Sequence, residues 1–231
     1  AMALAHSLHV ITNDNQETVA YKPRLRFQTV RELTSGEAIG AVAETEQSFE
    51  ERAFFGFARG EGKLCPAKWL GDIIERAGRM AAMRNLNERP IAVCAPAAAL
   101  AHPDAPMAAE AAAARANLCP QEFRLEFSDA SLIEQDDLGA VHMERFFRRG
   151  FRIGLDGRRS WRMPLGASAR VMVEAIRLDA LTLSDIASLN DRLETAESSD
   201  ILVYLENARW RDAETYTKLG VSAAVAPRAD S

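Results

Sequence analysis

Paired cysteines are missing from this sequence. Cys65, Cys94 and Cys119 are odd in number and no CxxC or Cys/His spacing accompanies them. Neither a disulfide framework nor a structural zinc site is expected, and a reducing compartment is the simpler setting. Histidine is scarce: His6, His9, His102 and His142 are scattered, none with a partner at metal-ligand spacing. An excess of positive charge is missing too. Lys and Arg number 28 against 33 Asp and Glu, a net charge of −5, which excludes a general attraction to nucleic acid polymers or anionic membranes. No apolar run is long enough to span a bilayer, and no secretory leader is present. A cytoplasmic location is therefore expected. Ala1-Met2 reads as a remnant added ahead of the natural chain, so the sequence is expected to be an excised domain, and any membrane anchor would belong to the parent signalling protein. No linker rich in Gly, Pro or Ser divides it, so residues 1–231 are read as one domain.

What the chain does have is 48% hydrophobic residues over 231 positions, enough for one large core. A strand is expected over 18–27 and a second over 30–43, with a break at Ser35-Gly36; Glu44 to Arg52 is charged and reads as helix or loop. Pro66 opens a helix to about Arg84, because a proline in the first turn gives up an N–H that has no helical partner there. A regular rhythm follows: strands at Ile91–Ala95, Phe123–Phe127, Phe151–Asp156, Ala175–Leu178, Ile201–Leu205 and Val221–Val225. Helices fall between them at 105–116, Leu132 to Arg149, Ser184 to Ala196 and 209–219. Strand–helix alternation with short connections implies a parallel sheet, and this many units favour closure into an α/β barrel. In such a barrel the working face lies at the carboxyl ends of the strands. Glu126, Asp156, Arg177 and Glu206 stand at those ends.

In that order, the strand ends resemble the EAL family of cyclic-di-GMP phosphodiesterases over nearly the whole chain. Tyr21-Lys22-Pro23 is similar to the family's opening Tyr-Gln-Pro, and Glu37-Ala38-Ile39 to its Glu-Ala-Leu signature. Cys65-Pro66-Ala67-Lys68-Trp69-Leu70 resembles the Ser-Pro-x-x-Phe-Ile helix start, and Leu125-Glu126-Phe127-Ser128-Asp129 the Leu-Glu-Ile-Thr-Glu strand. Gly150 to Asp156 matches the run into the family's paired aspartates. Ile176-Arg177-Leu178-Asp179 resembles Ile-Lys-Ile-Asp, and Leu205-Glu206-Asn207 resembles Val-Glu-Asn. The stretch between Ile39 and Pro66 is longer than the family norm, and a neighbouring register of the second strand would put a non-acidic residue in place of Glu37. The resemblance implies an EAL-type, TIM-like (β/α)8 barrel.

It also implies a two-cation site that clamps a phosphodiester, which needs a shell of hard oxygen ligands. Against that pattern Glu37, Glu126 and Asp156 are kept. The family asparagine falls at Cys94, a soft ligand; the second aspartate falls at Gly157; the lysine falls at Arg177, whose charge is fixed and whose fork is planar. The arginine that follows the signature falls near Ala41. Glu37, Cys94, Glu126, Asp156, Gly157, Arg177 and Glu206 are thus read as vestigial metal-site positions, with no bound cofactor expected. The retained carboxylates either pair with neighbouring bases or hold a single weak cation. Arg158, Arg159, Trp161 and Arg177 are candidates for a replacement ligand surface, guanidinium for phosphate and indole for stacking on guanine; the other reading of that loop is an exposed or partner-binding patch. The expected function is an inactive EAL-like regulator in cyclic-di-GMP signalling, controlling motility, flagella or biofilm. It would act on a protein partner, with cyclic-di-GMP a candidate ligand and a homodimer a candidate state. The alternative is a weak metal-dependent phosphodiesterase.

Overall fold

Eight strands close into a barrel in chain order. The computed structural model describes residues 24–134, 137–162, 164–183 and 189–226. Tyr21-Lys22-Pro23, the first part of the strand expected over 18–27, the start of the helix expected at Ser184, and His6 and His9 lie outside the described residues.

The first described strand, β1 (Leu25–Glu32), runs on past the expected end at 27 and pairs antiparallel with β2 (Ala38–Thr45), Val30 facing Gly40. The turn between them is too short for the crossover that a parallel pair requires, and Gly36 takes the left-handed conformation (φ 73°) that closes it. So the parallel sheet expected from the alternation has one reversed strand, and β1 closes the barrel antiparallel on the last strand. From β2 onward every pairing is parallel. The order continues with α1 (Phe49–Ala58), α2 (Pro66–Met83), β3 (Ile91–Ala95), α3 (Ala97–Ala101), α4 (Ala105–Arg115), β4 (Phe123–Ser128), α5 (Asp129–Glu134), α6 (Asp137–Phe147) and β5 (Arg152–Asp156). Then come α7 (Ala167–Met172), β6 (Val173–Asp179), α8 (Asn190–Glu197), β7 (Leu202–Glu206), α9 (Ala213–Lys218) and β8 (Ala223–Val225). The chain is therefore an α/β barrel of the (β/α)8 kind.

Ser48 caps α1: its hydroxyl accepts from Glu51 N–H while the Glu51 carboxylate accepts from Ser48 N–H. That helix fills the long stretch between the signature region and Pro66. Pro66 stands in the first turn of α2, whose face of Leu70, Ile73, Ile74, Ala77 and Ala81 is fully buried. α2 packs closely on α4 and the chain after it because glycine and alanine line the seam. A β-carbon on Gly78 would lie 2.6 Å from Ala116 Cβ, 3.0 Å from Leu118 Cδ1 and 3.3 Å from Phe123 Cζ. Gly78→Ala is accordingly expected to cost about 1–3 kcal/mol through overpacking. Urea titration would measure it, and a neutral or stabilising result would mean the seam yields freely.

Candidate active site at the barrel mouth

Side chains two apart on a strand point the same way. Val30, Val42, Ala92, Ala175, Tyr204, Ala223 and Val225 form an apolar layer inside the barrel. One pleat further toward the carboxyl ends stand Glu44, Cys94, Arg177 and Glu206, joined on β4 and β5 by Glu126 and Asp156. Arg158, just beyond β5, completes the group.

The Arg158 guanidinium sits where three carboxylates converge. It donates to Asp156 through two nitrogens, at 2.9 and 2.8 Å, to Glu44 at 2.8 Å and to Glu206 at 3.0 Å, and lies 3.5 Å from Cys94 Sγ. Its loop is tied down on both sides: Gly157 N–H donates to Arg177 O at 2.9 Å and Arg162 N–H to the buried Asp129 carboxylate at 2.7 Å. Arg177 lies beneath, 0% exposed, 2.8 Å from Glu44, 3.2 Å from Glu206 and 3.6 Å from Glu126. Deeper still, Glu126 accepts from the Tyr204 hydroxyl and, at 3.3 Å, from Arg124, whose guanidinium stacks 5.0 Å from the Tyr204 ring centre. Arg124 also reaches Glu174 at 3.8 Å, and Glu174 pairs with the half-exposed Arg152 at 2.7 Å. Gly154 makes this possible, since a β-carbon there would stand 3.1 Å from Glu126 Cγ and 3.2 Å from Arg124 Cδ.

The electrostatics follow from burial and pairing. Burial pushes the Cys94 thiol up to about 12, with Arg177 opposing and Asp156 and Glu126 adding to the shift. Burial, reinforced by the charge on Glu126, likewise raises the Tyr204 phenol. Burial disfavours the charge on Arg158 and Arg177, but the surrounding anions outweigh it and hold both above their ordinary value. Neither thiol nor phenol is a nucleophile in this state.

Asp156 is buried against its charge, yet the hydrogen bonds and charge of Arg158 outweigh that and hold its carboxyl below the ordinary 3.8. Its folded value being depressed, the pair's stabilisation is complete above about pH 5 and is lost as pH falls below the unfolded value. The melting-temperature gap between the native chain and Asp156→Asn should be constant above that pH and shrink at about pH 3–4. A gap independent of pH would contradict the pairing.

Several expected site positions are placed otherwise. Glu37 is not at the mouth: it is exposed in the β1–β2 turn, before the first residue of β2 and so at the opposite end of the barrel, its N–H bonded to Ser35 Oγ at 3.1 Å. The mouth carboxylate of β2 is Glu44. Gly157 is buried against the wall, where a β-carbon would lie 2.9 Å from Leu178 Cδ2. Trp161 is 3% exposed and belongs to the core, so it offers no open indole face. Arg177 is sealed beneath the carboxylates and Arg158 is turned inward onto them; of the loop candidates, Arg159 is the exposed one. Cys94, Glu126, Asp156, Arg177 and Glu206 are brought together at the mouth. Glu44, Tyr204 and Arg124 were not singled out by sequence. Counting back in twos from Glu44 to the inward Val42 would have found the first of them.

No protein-family model and no curated protein matches the sequence. Solved structures do. The PaMucR phosphodiesterase in its c-di-GMP complex superposes with a TM-score of 0.72 at 17% identity, covering 89% of this chain and 94% of that one. BlrP1 of Klebsiella pneumoniae, in a manganese/cy-diGMP complex, gives 0.72 at 16% identity over 90% of this chain and 55% of that one. The EAL domain of Mycobacterium smegmatis DcpA gives 0.65 at 11% identity, over 87% and 88%.

Proposed function

With the EAL-domain fold as the premise, we propose that this chain is a non-catalytic EAL-type regulator that acts through contacts with a partner protein. The observation that carries this reading is the Arg158 guanidinium, which bonds Asp156, Glu44 and Glu206 together. A pair of divalent cations would need those oxygens free. Cys94, protonated and soft, stands among them instead of a hard oxygen donor. The residues present therefore do not fit the two-cation site of the phosphodiesterases. With its charges satisfied internally, the mouth is better suited to rigidity than to phosphoryl chemistry. No described helix is long and apolar enough to cross a membrane. The proposed role in cyclic-di-GMP signalling would put the working chain in the cytoplasm.

The test is direct. Purified chain incubated with cyclic-di-GMP and manganese should release no linear dinucleotide. Manganese-dependent turnover that disappears in Asp156→Asn would sink the reading and favour a weak phosphodiesterase. A second reading, a cyclic-di-GMP receptor, is supported by the exposed Arg159 and by neighbours solved with that ligand. Calorimetric titration with the dinucleotide separates the two: heat without turnover supports the receptor, and its absence supports the protein-contact regulator.

A further inference from the structure

Helix α4 and the carboxyl end of α6 flank a groove of about 550 Å³ on the outer wall, lined by Pro103, Pro106, Met107, Glu110, Arg145, Arg148 and Arg149. None of these residues belongs to the mouth cluster. Met107 is 56% exposed on one side of the groove. On α6, Val141 and Leu138 lie one and two turns before Arg145, so they continue its stripe, and both are exposed, at 52% and 60%. An apolar strip of this kind on a soluble surface is a mark of contact.

The charge of the groove is of the opposite sign to that of the chain. Three guanidinium groups and one carboxylate, Glu110, line it, while the whole chain carries −5. Arg148 is held by Glu144, at 3.0 and 2.8 Å, Arg149 by Glu110, and Arg145 by the carbonyl of Pro103. The Arg148–Glu144 and Arg149–Glu110 pairs are solvent-exposed, and exposed pairs of that kind contribute little and exchange readily. The forks of Arg148 and Arg149 can therefore turn to an incoming carboxylate at small cost, which a buried pair such as Arg177–Glu126 cannot do. Arginine and methionine are also the side chains that interfaces favour, one for its planar donors and the other for its adaptable shape.

We propose that this groove is the docking site for an acidic, amphipathic segment of a partner protein, laid with its apolar face on Met107, Val141 and Leu138 and its carboxylates on Arg145, Arg148 and Arg149. This rests on the protein-contact reading above and names the surface and the chemistry of the partner. Charge complementarity selects an acidic segment over a two-fold contact with a second copy of this chain, which would bring the same arginines to the contact. It also demands an apolar anchor, which a free anion lacks.

The probe is a labelled helical peptide with leucine at i, i+3, i+4 and i+7 and glutamate elsewhere, alongside the same peptide with glutamine for glutamate. Both are titrated against the full chain by fluorescence anisotropy at low and high salt. The glutamate peptide should bind, more weakly as salt rises, and the glutamine peptide should bind at least about tenfold more weakly. Arg145→Glu with Arg149→Glu should cost about tenfold or more. Because reversal at Arg149 also repels Glu110, Arg148→Ala and Met107→Ala serve as milder variants whose melting temperatures should match the native chain. Equal binding of the two peptides, no binding at all, or affinity unchanged in every variant would overturn the proposal. Displacement of the peptide by cyclic-di-GMP, with the same dependence on these arginines, would overturn it in favour of a nucleotide site. Failure here is separable from failure of the regulatory reading, since turnover of cyclic-di-GMP sinks that reading whatever the peptide does.

Discussion

An Arg177→Met chain is expected to lose about 3–5 kcal/mol of folding stability, a large share of the 5–15 kcal/mol of an ordinary domain. Arg177 is a fully buried charge, 0% exposed, and it stands beside Glu44, Glu206 and Glu126 at once. Methionine fills much of its volume but leaves Glu126, 1% exposed, with Arg124 as its one remaining cationic neighbour. The penalty comes from stranding a buried anion rather than from the strength of the pair itself. Adding Glu126→Gln should therefore recover part of the loss, since a glutamine oxygen still accepts from Tyr204 and Arg124. Chemical denaturation of the single and double variants reads both numbers. If the double variant were no better than Arg177→Met alone, the loss would have to come from packing.

Arg158→Ala is expected to change what the mouth binds more than how well the barrel folds. Arg158 is 26% exposed and its three carboxylate partners are about equally open. Water relieves much of their repulsion once it is gone, so a loss of about 1–2 kcal/mol is expected. The vacated space is then ringed by Glu44, Asp156 and Glu206, hard oxygen donors of the kind calcium and manganese accept. Added manganese should raise the melting temperature of the variant and leave the native chain unchanged. At a hundredfold excess over the dissociation constant the gain would be about 2.7 kcal/mol. An equal rise in the native chain would mean that Arg158 does not stand in a cation's place, and the non-catalytic reading would lose its main support.

Much of this arrangement could be read from sequence. Glu126, Asp156, Arg177 and Glu206 stand at or near the carboxyl ends of short, mostly apolar strands, which is where a parallel barrel does its work. Glu44 was missed because Glu37 matches the Glu-Ala-Leu signature, and that match outweighed position. The run Ala38–Ala43 has a glutamate at each end, and the carboxyl-end rule favours Glu44. Only the pleat, set by the hairpin with β1, shows that its side chain turns inward with Val42. Tyr204 was hidden differently: inside Leu202–Glu206 it looks like another apolar residue, and its hydroxyl matters only because β4 brings Glu126 across the barrel. The burial of Trp161 depends on a loop path set by long-range ties such as Arg162 to Asp129, which no local pattern encodes.

From Arg158 at the mouth, the charges alternate through Glu44 and Glu206, Arg177, Glu126, Arg124 and Glu174 to Arg152 at the amino ends of the strands. The hollow of the barrel is thus threaded by one unbroken column of opposite signs, solvated at each tip and dry in the middle. Members of such a column do not act one at a time. When a tip residue is removed, its former neighbour turns more fully to the next ion inward, so substitutions at Arg158 and at Arg152 should fail to add even though the two side chains never touch.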